Sequence, residues 1–174
     1  MKDKNIVLIG FMGVGKTTIG RKLAKQIKYD FVDMDVEIEK REGMSISNIF
    51  ETHGESAFRQ IEANLCKELG GKSQTVIATG GGVAKSKDNI EQLKKNGLII
   101  YLESSSEKIF NNLKNNNTRP LLQNGDKLEK IKQLLEDRQE IYEFAADKNV
   151  DVTNLNINEA VDVIKELIKR EGVI

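Results

Sequence analysis

Asn5-Ile6-Val7-Leu8-Ile9-Gly10-Phe11-Met12-Gly13-Val14-Gly15-Lys16-Thr17 is the stretch that decides how the rest of this 174-residue chain is read. Residues 5–9 form a short apolar run rich in β-branched side chains, as a strand buried on both faces of a parallel sheet requires. Gly10 to Thr17 then reads Gly, four residues, Gly, Lys, Thr, the spacing of a phosphate-binding loop. Its glycines let backbone amides approach an anion closely, and the following helix adds the positive end of its dipole. Lys16 supplies a cation for β- and γ-phosphates, and the Thr17 hydroxyl suits Mg²⁺. Ile19, Leu23, Ala24 and Ile27 recur at helical spacing, so strand, glycine loop and helix follow in the order the motif needs.

Strand-like runs recur at 30–33, 75–78, 98–102 and 149–152, with helical patterns between them. This alternation predicts an α/β fold of βαβ units, a parallel sheet with helices on both faces. Ligands in such sheets bind beyond the carboxyl ends of the strands. The length predicts one domain spanning residues 1–174. The Asn-rich stretch 111–126 interrupts the periodicity and reads as a flap over the active site or as a surface loop.

Lys+Arg and Asp+Glu are both 27, and this balance argues against a nucleic-acid partner, which needs a basic surface. No apolar stretch approaches the roughly 20 residues of a membrane span. Cys66 lies among Ile61, Leu65 and Leu69 at helical spacing and reads as a buried thiol, which fits a cytoplasmic location. His53 precedes Gly54 at a break between helical segments, and no Cys/His cluster suggests zinc.

Arginine is scarce, with 6 Arg against 21 Lys. Arg41 and Arg170 each precede Glu-Gly and read as residues of helix C-termini. Arg21 reads as solvated or ion-paired. Arg59, Arg119 and Arg138 remain, and a guanidinium fork suits carboxylate or phosphate. Asp33 and Asp35 close the second strand. On an extended chain their carboxylates share a side. Asp33 is the nearer candidate for Mg²⁺, and Asp35 can accept a hydrogen bond from a substrate hydroxyl or cap the next helix. Thr75–Thr79 leads into Gly80-Gly81-Gly82, either a tight turn or a bed on which a ligand lies against the backbone.

Taken together, these segments resemble shikimate kinase, a small branch of the P-loop nucleoside monophosphate kinase-like group. The matching elements are Gly10-x-x-Gly13-x-Gly15-Lys16-Thr17, Asp33-x-Asp35, Gly54-Glu55-x-x-Phe58-Arg59-x-x-Glu62, Thr79-Gly80-Gly81-Gly82, Arg119-Pro120-Leu121-Leu122 and Arg138-x-x-x-Tyr142. The resemblance implies a three-layer sandwich, a five-stranded parallel sheet of order 2-3-1-4-5 and a mobile lid at about 111–126. It implies a helical substrate-binding segment at about 34–70 and transfer of the ATP γ-phosphoryl group to the 3-hydroxyl of shikimate by a monomer. It further implies an ATP site of Gly13, Val14, Gly15, Lys16, Thr17, Thr18 and Arg119, and Mg²⁺ at Thr17 and Asp33. Shikimate falls to Asp35, Arg59, Gly80, Gly81, Gly82 and Arg138. Lys16, Asp35 and Arg119 become the catalytic residues. Glu62, three residues after Arg59, can orient that guanidinium. Two departures stand out: Asn112 replaces an Arg that many members place over adenine, and Met34 replaces Ser or Thr. A gluconate-type kinase on the same scaffold, or a nucleotide-binding switch without transfer chemistry, is the alternative.

The loop reading carries a direct test. Lys16→Ala is expected to lower kcat for nucleotide-dependent transfer by about 100-fold or more. A near-normal kcat in an ADP-release assay would remove Lys16 from the chemistry.

Overall fold

A computed structural model describes residues 2–114 and 126–174. The strands are β1 (Asn5–Ile9), β2 (Asp30–Asp33), β3 (Thr75–Ala78), β4 (Gly97–Glu103) and β5 (Lys148–Asp151). They form one sheet in the order β2-β3-β1-β4-β5, every neighbouring pair parallel. Seven α-helices accompany them: α1 (Lys16–Ile27), α2 (Met34–Glu42), α3 (Ile46–Gly70), α4 (Lys87–Lys94), α5 (Ser106–Leu113), α6 (Lys127–Ala145) and α7 (Ile157–Arg170). The expected strand order and all five expected strands are present, with ends that differ by no more than one residue.

Alternation along each strand divides the core in two. Ile6 and Leu8 of β1, with Ile100 and Leu102 of β4, face α1 and α7 and meet Leu23, Val161 and Ile164. Val7, Ile9, Ile99 and Tyr101 face the other way, onto α3, α4 and α6, and meet Leu65, Leu93 and Tyr142. Two helical layers around one sheet give the three-layer sandwich. Cys66 is fully buried in the second core, and burial pushes its thiol up to about 12, so it is inert packing as expected.

Local chemistry fixes the helix ends. Ser45, Ser86, Ser105 and Asp126 cap α3 to α6 with side-chain oxygens, and Asn156 with Glu159 forms a reciprocal box at α7. Asp33 caps α2. Among the described α-helices only α1 starts without a side-chain cap, because its cap position is Gly15. Its first amides are left to the phosphate loop. Gly54 breaks α3 with φ 86° and ψ 166°, the interruption expected beside His53.

The structure adds partners to two arginines and places the ends of the Asn-rich stretch. Arg41 does lie in the last turn of α2, but its guanidinium also grips both Glu68 oxygens on α3 at 2.7 and 2.8 Å and Glu37 at 2.8 Å. It joins two helices, a task that a terminal charge alone does not perform. Arg21 is exposed, as the solvated reading expects, and it also lies over the Phe31 ring, 5.5 Å from its centroid. Asn111–Leu113 belong to α5 and Asp126 caps α6, so both ends of the stretch 111–126 lie on helices. Residues 115–125, including Arg119, lie outside the described residues.

The α3–α4 contact depends on a missing side chain. A Cβ on Gly70 would fall 2.2 Å from the Gln92 carbonyl oxygen, and backbone cannot yield as a side-chain tip can. Gly70→Ala is expected to cost about 2 kcal/mol or more, as overpacking does. Urea unfolding checks this, and an unchanged midpoint would show that α4 moves freely.

Candidate active site

Among the described residues, the phosphate loop follows the carboxyl end of β1, Asp33 ends β2, and Gly80 to Gly82 follow β3. The loop after β1 uses left-handed backbone at Gly13 (φ 80°) and Gly15 (φ 106°). At Gly13 there is a second reason for glycine, since a Cβ would meet the Leu113 side chain at 2.5 Å. Lys16 is buried and donates to the carbonyls of Gly10 (2.6 Å) and Phe11 (3.0 Å), which holds its ammonium across the loop. Asn112 donates to the Gly13 carbonyl at 2.8 Å. Asn112 therefore braces the phosphate loop in this chain.

Asp33 and Asp35 do not share an extended strand. β2 ends at Asp33, and Asp35 stands in the first turn of α2. Asp33, not Asp35, is the cap: one oxygen accepts from the Val36 amide at 3.1 Å, and the other accepts from the Thr17 hydroxyl. The two aspartates divide the labour because the chain turns helical between them, anchored by Met34 in the core. Lys16, Thr17, Thr18, Asp33, Asp35 and Gly81 line one cavity of about 750 Å³. Val14 is buried in the α1 core, so only its backbone faces the loop.

The three glycines after β3 have no left-handed backbone. Gly80 to Val83 do close a turn, the Val83 amide donating to the Gly80 carbonyl at 3.2 Å, and space is a further demand at Gly80 and Gly82. A Cβ on Gly80 would lie 2.9 Å from Asp35 Oδ1 and 3.3 Å from Glu62 Oε2. One on Gly81 would lie 3.6 Å from Arg138 Nη1, and one on Gly82 only 2.6 Å from Arg59 Nη1. The loop thus gathers two carboxylates and two guanidiniums.

The two arginines differ in state. Arg59 is held by Glu62 at 2.9 Å and Glu55 at 3.5 Å. Arg138 is 7% exposed, lies 5.6 Å from the Phe11 centroid and has no ion-pair partner among the described residues. Burying a guanidinium without a carboxylate is costly, so the place suits an anionic ligand. Lys85, one turn beyond Gly82, is a third cation here. Burial lowers its pKa, and Arg138 and Arg59 lower it further. Nothing in the sequence marked it among 21 lysines; only the fold brings it near the arginines.

Thr17 and Asp33 offer oxygen donors at the mouth of the loop, and the described residues hold no group of three or more His, Cys, Asp or Glu fit for a metal cage. That donor set fits Mg²⁺, which takes one or two protein oxygens and completes its shell with phosphate and water. No described helix is long and apolar enough to cross a membrane.

A parallel sheet of this order, with a phosphate loop after its central strand, defines a P-loop kinase fold. A family model described as shikimate kinase matches residues 12–169. Shikimate kinase of Thermodesulfovibrio yellowstonii is 49% identical, with 94% of each chain covered. That of Caldanaerobacter subterraneus subsp. tengcongensis is 46% identical over 97% of this chain and 99% of its own. Among solved structures, shikimate kinase from Acinetobacter baumannii in complex with shikimate superposes with a TM-score of 0.91 at 36% identity, covering 97% and 94% of the two chains. This chain belongs to the shikimate kinase family.

Glu62 gives the site a measurable pH signature. Burial raises its carboxyl above the usual range, Arg59 opposes the rise, and Asp35 adds to it. The folded chain therefore holds this proton more tightly than the unfolded chain does. Stability from Glu62 is full below the ordinary carboxylate pKa and is lost as pH rises through the raised value. Glu62→Gln abolishes that loss, so its melting temperature should gain on wild type from mildly acid to neutral pH. A difference that stays constant with pH would show that Glu62 titrates alike in both states.

Proposed function

We propose that this chain transfers the γ-phosphoryl group of ATP to the 3-hydroxyl of shikimate, giving shikimate 3-phosphate and ADP for aromatic amino-acid (chorismate) biosynthesis. The observation that carries the acceptor assignment is Arg138: a buried guanidinium without an ion-pair partner among the described residues, set against Gly81 at the edge of the phosphate-loop cavity. A small acid with several hydroxyls matches a site that offers guanidiniums beside an aspartate.

Backbone amides of Gly13 to Thr18 and the uncapped start of α1 receive the phosphates. Lys16 leaves its loop carbonyls for the β- and γ-oxygens and offsets charge as it moves from donor to acceptor. Thr17 and Asp33 would hold Mg²⁺, which supplies charge neutralisation of the β- and γ-phosphates when bound. Arg59 and Arg138 take the shikimate carboxylate, and this fixes the ring so that the 3-hydroxyl reaches Asp35. Asp35 accepts that hydroxyl's hydrogen bond and aims its oxygen at the γ-phosphorus. The new oxygen–phosphorus bond forms as the bond to the β,γ-bridging oxygen breaks, and the hydroxyl proton passes toward Asp35. Arg119, outside the described residues, is assigned to the nucleotide and the lid. All of these groups come from one chain, which suits a monomer. A buried free Cys66 suits the reducing cytoplasm.

A coupled ADP-release assay with ATP, Mg²⁺ and a panel of hydroxy-acids tests the assignment. Shikimate should drive turnover and gluconate should not; the reverse would transfer the chain to a gluconate-type kinase, and acceptor-independent ATP binding alone would make it a switch. In the same assay Asp35→Asn should lower kcat about 100-fold, in the range of general-base loss, with little change in ATP affinity. A change in ATP affinity alone would place Asp35 with the metal.

A further inference from the structure

Tyr142 is 1% exposed on α6, and its ring stacks on Tyr101 of β4 with centroids 5.1 Å apart and planes 26° apart. That stack locks the ring, so its hydroxyl has one direction to point. The hydroxyl donates to the Gly81 carbonyl at 2.8 Å. Arg138, one helical turn earlier, lies against the same hydroxyl and pulls the phenol's pKa down while burial, the larger effect, raises it. Arg138 Nη1 in turn sits 3.6 Å from the position of a Cβ on Gly81. Backbone, phenol and guanidinium therefore close a triangle. A phenol has one proton and two lone pairs. With the proton committed to Gly81, the oxygen presents lone pairs to the guanidinium.

Phe11 supports Arg138 only through a ring face, which is tolerant of sliding. Among the described residues no carboxylate fixes Arg138 as Glu62 fixes Arg59. Tyr142, its hydroxyl fixed on the Gly81 carbonyl at 2.8 Å, is thus a polar side chain set against this guanidinium. We propose that Tyr142 is a positioning residue that, through its hydroxyl, holds Arg138 against Gly81 and so sets the affinity for the acceptor carboxylate. The proposal rests on the reading that Arg138 grips that carboxylate, and the experiment separates the two.

Shikimate and ATP dissociation constants are measured by calorimetry for wild type, Tyr142→Phe, Arg138→Met and the double variant. Tyr142→Phe keeps the ring and its stack, and unchanged ATP affinity reports an intact fold. Arg138→Met should weaken shikimate binding by about 10- to 100-fold, as loss of a charge-assisted pair does, and Tyr142→Phe by roughly 10-fold. The double variant should bind no more weakly than Arg138→Met. Wild-type shikimate affinity in Arg138→Met would overturn the clamp reading and this inference together. With Arg138→Met weakened, an unaffected Tyr142→Phe overturns the inference alone, and so do losses that multiply in the double variant. A shikimate analogue with the carboxylate reduced to an alcohol gives a second measure, by competition against shikimate. Wild type and Tyr142→Phe should bind it equally, whereas a persisting 10-fold gap would assign Tyr142 a merely structural role.

Discussion

Charged side chains can converge on a parallel sheet only where the backbone gives them room, and in this chain that room is the absence of Cβ atoms at Gly80, Gly81 and Gly82. Asp35, Glu62 and Arg59 occupy space that a side chain on Gly80 or Gly82 would claim, and Arg138 lies in ordinary contact range of Gly81. The strand that delivers the glycines, β3, pairs with β1 and β2 in the sheet centre. Its carboxyl end therefore opens beside the phosphate loop and beside Asp33. Phosphoryl donor and acceptor sites adjoin because β1 and β3 adjoin. The sheet order is thus a statement about the reaction as much as about packing.

Much of this was legible in the residues. β1 and β3 announce themselves as β-branched runs ending in glycine, and a period of two sorts their side chains between the two helical layers. The phosphate loop is legible because its chemistry demands glycines, Lys16 and Thr17 at fixed spacing. Asp33 and Asp35 show where such reading stops. Treating them as neighbours on an extended strand misplaces the cap, because the chain becomes helical at Met34 and the side-chain period changes from two to 3.6. Arg41 was legible as a helix-end residue, but its partner Glu68 is 27 positions away and no local pattern reports it. Lys85 was invisible for the same reason: its character comes from Arg59 and Arg138, which reach it through α3 and α6. The triple glycine was noticed, yet the steric demand at Gly80 and Gly82 lies in Asp35, Glu62 and Arg59, distant in sequence.

The fold alone does not choose the acceptor. A gluconokinase from Sinorhizobium meliloti shares this architecture with a TM-score of 0.55 at 16% identity, a likeness of scaffold only. Phosphate-loop geometry is what such scaffolds have in common, since it reads a triphosphate through backbone amides and one lysine. On the proposed reading, the choice of acceptor falls to α2, α3, the loop of Gly80 to Gly82 and α6. These elements contribute Asp35, Arg59 and Arg138 from three separate helices, so the acceptor site can change while the donor site stays.

The two arginines proposed for the acceptor differ in their surroundings. Arg59 is compensated before any acid arrives: Glu62 is 2% exposed and 2.9 Å away, so that pair is already folded into the protein's own electrostatics. A second carboxylate must share its donors, which favours geometry over net attraction. Arg138 is buried against aromatic faces and a carbonyl-bonded phenol, with no described carboxylate to neutralise it. On the proposed reading, an incoming carboxylate would gain most of its electrostatic stabilisation there and would relieve the protein of a buried uncompensated charge. Orientation from a paired arginine and affinity from an unpaired one would be redundant if both were alike. Their difference explains why Glu62, an acid beside the site of an acid, does not repel the ligand: it spends its charge on Arg59.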